Sequence, residues 1–169
     1  EIATRTIFNC LGPLTNPAGA DYQLIGVYDK ELVEPIANVL LKLGSKKALV
    51  VHGLDGLDEI TITDKTVAAE LSNAEVKSYE IDPKDYGFEY ASPNEILGGE
   101  PSVNAQIIKD IFNGEKGPKR DIVLLNTGAS LYVADKVASI NEGIKLAVKT
   151  IDEGLAFRKL EELIEISNE

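Results

Sequence analysis

Two carboxylates stand side by side at Asp58 and Glu59, inside the stretch VVHGLDGLDEITIT that covers residues 50–63. Neighbouring carboxylates repel each other unless a cation is shared between them. Hard oxygen ligands in a glycine-flexed loop suit Mg²⁺, which keeps waters and substrate phosphates in its remaining positions. A solvated acidic loop is the other reading, because the chain has 28 acidic residues. Asp152-Glu153 and Glu161-Glu162 are also adjacent, and their helical settings explain them as solvated faces. Asp58 and Glu59 differ in following the apolar run 48–51 and the chain's only histidine, His52. A histidine that closes a strand serves more often as a hydrogen-bonded structural residue than as a catalyst. One histidine and one cysteine, Cys10, leave too few donors for a zinc site. No nucleophile elbow, P-loop or dinucleotide fingerprint occurs, and Gly98-Gly99 reads as a turn.

The elements that must carry this loop are legible in the hydrophobic pattern. YQLIGVYD (22–29) is continuously apolar rather than alternating, as expected of a strand buried on both faces. From Lys30 the period changes: Leu32, Val33, Ile36, Val39, Leu40 and Leu43 share one helical face. Asp29 is placed to cap that helix and Gly44 to end it. KALVVHG (47–53) is a second buried strand. Strand, helix and strand make a βαβ unit, whose strands run parallel with a right-handed crossover. The loop 52–59 then lies beyond a strand's carboxyl end, where open α/β sheets gather ligands.

Downstream, ITIT (60–63) and EVKSYEID (75–82) are strand-like, with KTVAAELS between them less defined. Residues 82–101 carry repeated prolines and glycines and read as an irregular connection. The remainder is helical: Val103, Ile107, Ile108, Ile111 and Phe112 share a face behind a cap at Ser102. In DIVLLNTGASLYVADKVAS the opening IVLL suits a strand as well, but the length of the segment favours a helix; a helix around 140–151 and a last one from about Leu155 follow. The expected fold is α/β, a mainly parallel central sheet flanked by helices, with residues 1–169 as one domain.

Composition bounds the function. The net charge of −11 argues against a nucleic-acid surface and repels an anionic substrate unless a metal ion intervenes. No apolar run approaches a membrane span, and the first residues lack a signal-peptide pattern. The single cysteine excludes an internal disulfide and fits a reducing, cytoplasmic setting. Methionine is absent everywhere, position 1 included, which favours a piece of a longer protein.

Three stretches carry a family likeness. RTIFNCLGPLTNPA near the start, VVHGLDGLDEIT in the middle and NAQIIKDIFNGEKGPKRDIVLLNTGASLYVA later resemble the anthranilate phosphoribosyltransferases, in the expected order along the chain. The resemblance implies the C-terminal α/β part of that enzyme, of the nucleoside phosphorylase and phosphoribosyltransferase type. It implies transfer of phosphoribosyl from phosphoribosyl pyrophosphate to anthranilate in tryptophan biosynthesis, with Mg²⁺ held by Asp58 and Glu59. Arg5, Asn9 and His52 become substrate-binding candidates, and no catalytic residue is assigned. The family's helical domain, its glycine-rich pyrophosphate loop and its Lys-His-Gly-Asn segment have no counterpart here. The arginine that contacts anthranilate falls, by motif spacing, just before Glu1. A C-terminal fragment, inactive alone, of a homodimeric parent is therefore expected, the dimer joined through the helical domain. A pyrimidine nucleoside phosphorylase would share the sheet but lack LGPLTNP. A non-catalytic nucleic-acid-binding relative would need a basic face.

Overall fold

A computed structural model describes residues 8–168, with the side chains of 8–10 outside the description. Its contacts gather into two compact units, one ending at Asp82 and the other beginning at Pro83.

The first unit contains α1 (Phe8–Leu14), β1 (Tyr22–Gly26), α2 (Val33–Leu43), β2 (Lys47–Gly53), β3 (Thr66–Ser72) and β4 (Glu75–Ile81). A 3₁₀ turn at Lys30–Leu32 leads into α2, and the Asp29 carboxylate caps it by accepting from the Glu31 N–H at 3.0 Å. Gly44 ends α2 in the left-handed conformation at φ 86°, as its position suggests. The βαβ expectation holds: β1 and β2 pair in parallel, with Leu24 opposite Leu49 and Gly26 opposite Val51. Every residue of β2 is buried. On one of its faces Ala48 and Val50, with Ala69 and Leu71 across the ladder, pack against Val33, Ile36, Ala37 and Leu40 of α2. Burying each larger aliphatic side chain contributes roughly 1.5–3 kcal/mol, so this layer is what fixes the register of β2.

The α/β class stands, but the sheet is mixed rather than mainly parallel. Its order is β1-β2-β3-β4, and β2–β3 and β3–β4 are both antiparallel. The physical reason is the connections. Residues 54–65 form no crossover helix, and a two-residue turn at Asn73-Ala74, both at positive φ, folds β4 straight back on β3. KTVAAELS is therefore a full strand, whereas ITIT is not one. Ile60, Thr61 and Ile62 are completely buried as an irregular loop. The Thr61 and Thr63 hydroxyls take a nearby carboxylate, an alternative to ladder pairing that threonine side chains offer.

The second unit begins with irregular chain carrying 3₁₀ turns at Pro83–Tyr86 and Pro93–Glu95, then α3 (Pro101–Phe112), α4 (Pro118–Val133), α5 (Ile140–Asp152) and α6 (Leu155–Ser167). The first of these helices starts at Pro101 with Glu100 as its N-cap, so Ser102 lies within it rather than capping it. Arg120, Leu124, Leu125, Gly128, Ala129 and Val133 make the buried face of α4. Its main chain touches that of α5 at a crossing of two glycines: a β-carbon on Gly143 would lie 2.3 Å from the Gly128 carbonyl oxygen. Arg120, 4% exposed, ties the start of α4 to the end of α5 through Nη2, which donates to Asp152 Oδ1 at 2.5 Å. No helix of the described residues is long and apolar enough to cross a membrane.

Candidate metal and phosphate site

The parallel pair sets the stage. β1 ends at Gly26 and β2 at Gly53, so both carboxyl ends open on the same edge of the sheet. His52 is buried there, and its Nδ1 lies 2.7 Å from the carbonyl oxygen of Val27. A carbonyl can only accept, so Nδ1 carries the proton and donates it. The imidazole thereby links the end of β2 to the residue just past β1, leaving Nε2 as its one other polar atom.

Beyond His52 the chain turns tightly. Gly56 N–H donates to the Gly53 carbonyl at 2.9 Å, Gly53 N–H to Leu57 at 2.8 Å, and Leu54 N–H to Lys65 at 2.8 Å. Gly56 sits at φ 98°, a region closed to most side chains. A β-carbon on Gly53 would meet Asp55 Oδ1 at 2.5 Å. Gly56 is thus required by the turn that precedes Asp58 and Glu59, and a side chain at Gly53 would displace the Asp55 carboxylate.

Asp55 is the centre of that turn. Its Oδ1 accepts from the Leu57 N–H at 3.1 Å, and its Oδ2 accepts from the Thr61 hydroxyl at 2.5 Å and from the Thr63 hydroxyl. Partial burial pushes the Asp55 pKa up, but the hydrogen bonds from Thr61, Thr63 and Leu57 outweigh it and hold the carboxyl below its ordinary range. Sequence reasoning missed this residue. The available signal was the T-x-T spacing of Thr61 and Thr63 after an Asp-Gly turn.

Asp58 and Glu59 are both exposed. Among the described residues neither side chain has a hydrogen bond or an ion pair, and no group of three or more His, Cys, Asp or Glu could hold a metal ion. Two free, hard carboxylates with open space around them fit Mg²⁺, whose other positions go to water or phosphate. They would not fit a metal that needs a closed protein cage. Asp58 also borders a cavity of about 210 Å³ lined by Pro13, Ile25, Gly26, Val27, Tyr28 and Ile36. Pro13 belongs to the LGPLTNP stretch, so two of the three distinctive sequence stretches meet at this cavity. Arg5 lies outside the described residues. Asn9 falls in α1 by its backbone, and its side chain is outside the description too.

Comparison with known proteins follows the same lines. The family described as "Glycosyl transferase family, a/b domain" matches residues 1–157. An anthranilate phosphoribosyltransferase of Acetivibrio thermocellus is 55% identical over 168 residues, covering 99% of this chain and 49% of that protein. One from Methanobrevibacter smithii is 53% identical over 168 residues, with 99% and 50% covered. Among solved structures, the Thermus thermophilus enzyme of that name superposes with a TM-score of 0.86 at 39% identity, over 95% of this chain and 47% of its own. The Saccharomyces cerevisiae enzyme in complex with PRPP and Mg gives 0.84 at 29% identity, over 96% and 47%. The chain spans about half the length of the curated relatives it matches.

Proposed function

The chain belongs to the glycosyl transferase family, a/b domain, and from that premise we propose that it is the C-terminal α/β part of an anthranilate phosphoribosyltransferase. The reaction joins the anthranilate amine to the anomeric carbon of phosphoribosyl pyrophosphate, breaks the bond from that carbon to pyrophosphate, and releases a proton. The observation that carries this reading is the free Asp58-Glu59 pair at the carboxyl edge of the βαβ unit, in a chain 55% identical to an enzyme of that name.

In this proposal Asp58 and Glu59 hold Mg²⁺, and the ion, when bound, supplies positive charge against the departing pyrophosphate. The chain's own part is to aim and to insulate. Gly56, at φ 98°, allows the tight turn that leads to Asp58 and Glu59, and His52 ties the end of β2 to Val27. The net charge of −11 over these residues disfavours a pyrophosphate ester, and a cation held at this edge would offset that repulsion. Arg5, Asn9 and Nε2 of His52 are the substrate contacts proposed. The reading also carries a role in tryptophan biosynthesis, a cytoplasmic setting and a homodimeric parent.

The test exchanges this chain for the matching segment of the Acetivibrio thermocellus relative and follows anthranilate consumption by the chimaera. Turnover that requires phosphoribosyl pyrophosphate and magnesium, and a raised magnesium requirement in Asp58→Asn and Glu59→Gln, is expected. A folded chimaera without turnover would overturn the assignment of the reaction. A magnesium titration unchanged in both variants would overturn the assignment of the pair.

A further inference from the structure

Exposed side chains on a loop are poor ligands unless the main chain beneath them is fixed, because the cost of ordering them is otherwise taken from the binding energy. Two anchors fix the main chain under Asp58 and Glu59, and neither is a ligand. The first is Gly26. A β-carbon there would fall 1.5 Å from the Asp58 carbonyl oxygen and 2.5 Å from its carbonyl carbon. The main chain of the carboxylate loop therefore rests directly on the bare α-carbon that ends β1, and any side chain at Gly26 must push that loop away.

The second anchor is the Asp55 cluster. Asp55 precedes the pair, while Thr61 and Thr63 follow it, and the carboxylate draws the two sides together through both hydroxyls and the Leu57 N–H. Thr61 is fully buried and makes further bonds that hold it in place. Its Oγ1 accepts from the Thr63 N–H at 3.0 Å, and its own N–H donates to Thr66 Oγ1 at 3.0 Å, where β3 begins. Asp55 accepts three hydrogen bonds within the loop, two at Oδ2 and one at Oδ1, which makes it the clasp of the loop. The geometry points to Gly26, Asp55 and Thr61 as positioning residues that hold the Asp58-Glu59 pair preformed for its cation. This inference rests on the reading of that pair as a metal site. Loss of outer partners of this kind typically weakens metal binding about 10–100-fold.

The test titrates Mn²⁺, a paramagnetic stand-in for Mg²⁺, into the 169-residue chain and reads affinity from the broadening of amide resonances. Thr61→Val keeps the shape of a buried side chain and removes its hydroxyl; it should raise Kd about tenfold, and Thr61→Ser should restore it. Gly26→Ala should weaken binding as well. Without metal, amide exchange of Leu57 and Thr63 should quicken in Thr61→Val while that of Leu49 in β2 is unchanged. Should Gly26→Ala fail to fold, the Thr61 pair decides alone. Wild-type affinity in Thr61→Val beside lost affinity in Asp58→Asn would overturn the positioning role and leave the metal site standing. Weakened binding that Thr61→Ser does not restore would also overturn it, since the hydroxyl would not be the cause. Undiminished affinity in Asp58→Asn would instead overturn the metal reading beneath it.

Discussion

At the scale of single residues, Asp55 makes a claim about pH. Its carboxyl titrates lower in the folded chain than in the unfolded one, so its ionised form favours the folded state. The contribution is present above the unfolded value of about 3.9 and fades as pH falls through the folded one. Asp55→Asn should be less stable than the wild type near neutrality, with the gap closing progressively below about pH 4. Denaturant midpoints measured across that range check it, and a gap that stays constant into acid would refute it. The sequence displayed Asp58 and Glu59 because adjacent charges are conspicuous. It hid Asp55 and Gly26 because their importance lies in partners that only folding brings close. A lone glycine before Val27 is unremarkable until the Asp58 main chain is found lying on it.

Elements show the same division. Strands and amphipathic helices could be read wherever the period was clean, as in α2, β2, α3 and α5. β1 is a strand too, but as an edge strand it buries only Ile25, so the expectation of burial on both faces does not hold. The irregular run at 60–62 could not be read, because apolar alternation in ITIT imitates a strand while its threonines are occupied elsewhere. Two substitutions exploit what the pattern concealed. Ala74 occupies a left-handed turn position at φ 59°. Ala74→Gly removes a steric cost of roughly 1–2 kcal/mol, less the added freedom of the unfolded chain, and should raise the melting midpoint. A lowered midpoint would show that the turn is not strained. Gly143→Ala tests the opposite sign. In an ordinary helix the change would stabilise by roughly 0.8–1.0 kcal/mol. At the crossing with Gly128 a methyl has no room, so destabilisation of about 1–3 kcal/mol is expected, read from denaturant unfolding. A stabilised variant would mean that the two helices separate freely.

For the molecule as a whole, the expected outcome is a chain that folds without catalysing. The sheet unit and the helical unit each have a buried apolar interior, which suffices for cooperative unfolding. The resemblance puts the glycine-rich pyrophosphate loop outside this sequence, and losing even one preorganised donor typically costs about 10²–10³ in rate. The 169-residue chain given anthranilate, phosphoribosyl pyrophosphate and magnesium should therefore show no measurable turnover beside the chimaera, while circular dichroism shows a folded protein. Turnover close to that of the chimaera would place the whole catalytic apparatus within these residues. The two compact units, which join at Asp82–Pro83, were not legible in sequence. Both are rich in ordinary core residues, and the proline-rich connection gives no sign of which contacts lie on either side.

Strand order in the sheet is also strand order in the chain, β1-β2-β3-β4. On a ribosome this makes position a record of time. Each of β2, β3 and β4 emerges to find one neighbour already made, and none of the four has to be inserted later between two that have closed. With synthesis at about 5–20 residues per second and hairpins closing in about 1–10 μs, β4 can lie against β3 before the next residue is added. Until β4 is added, each new edge of the growing sheet is covered by the strand that follows it in the chain.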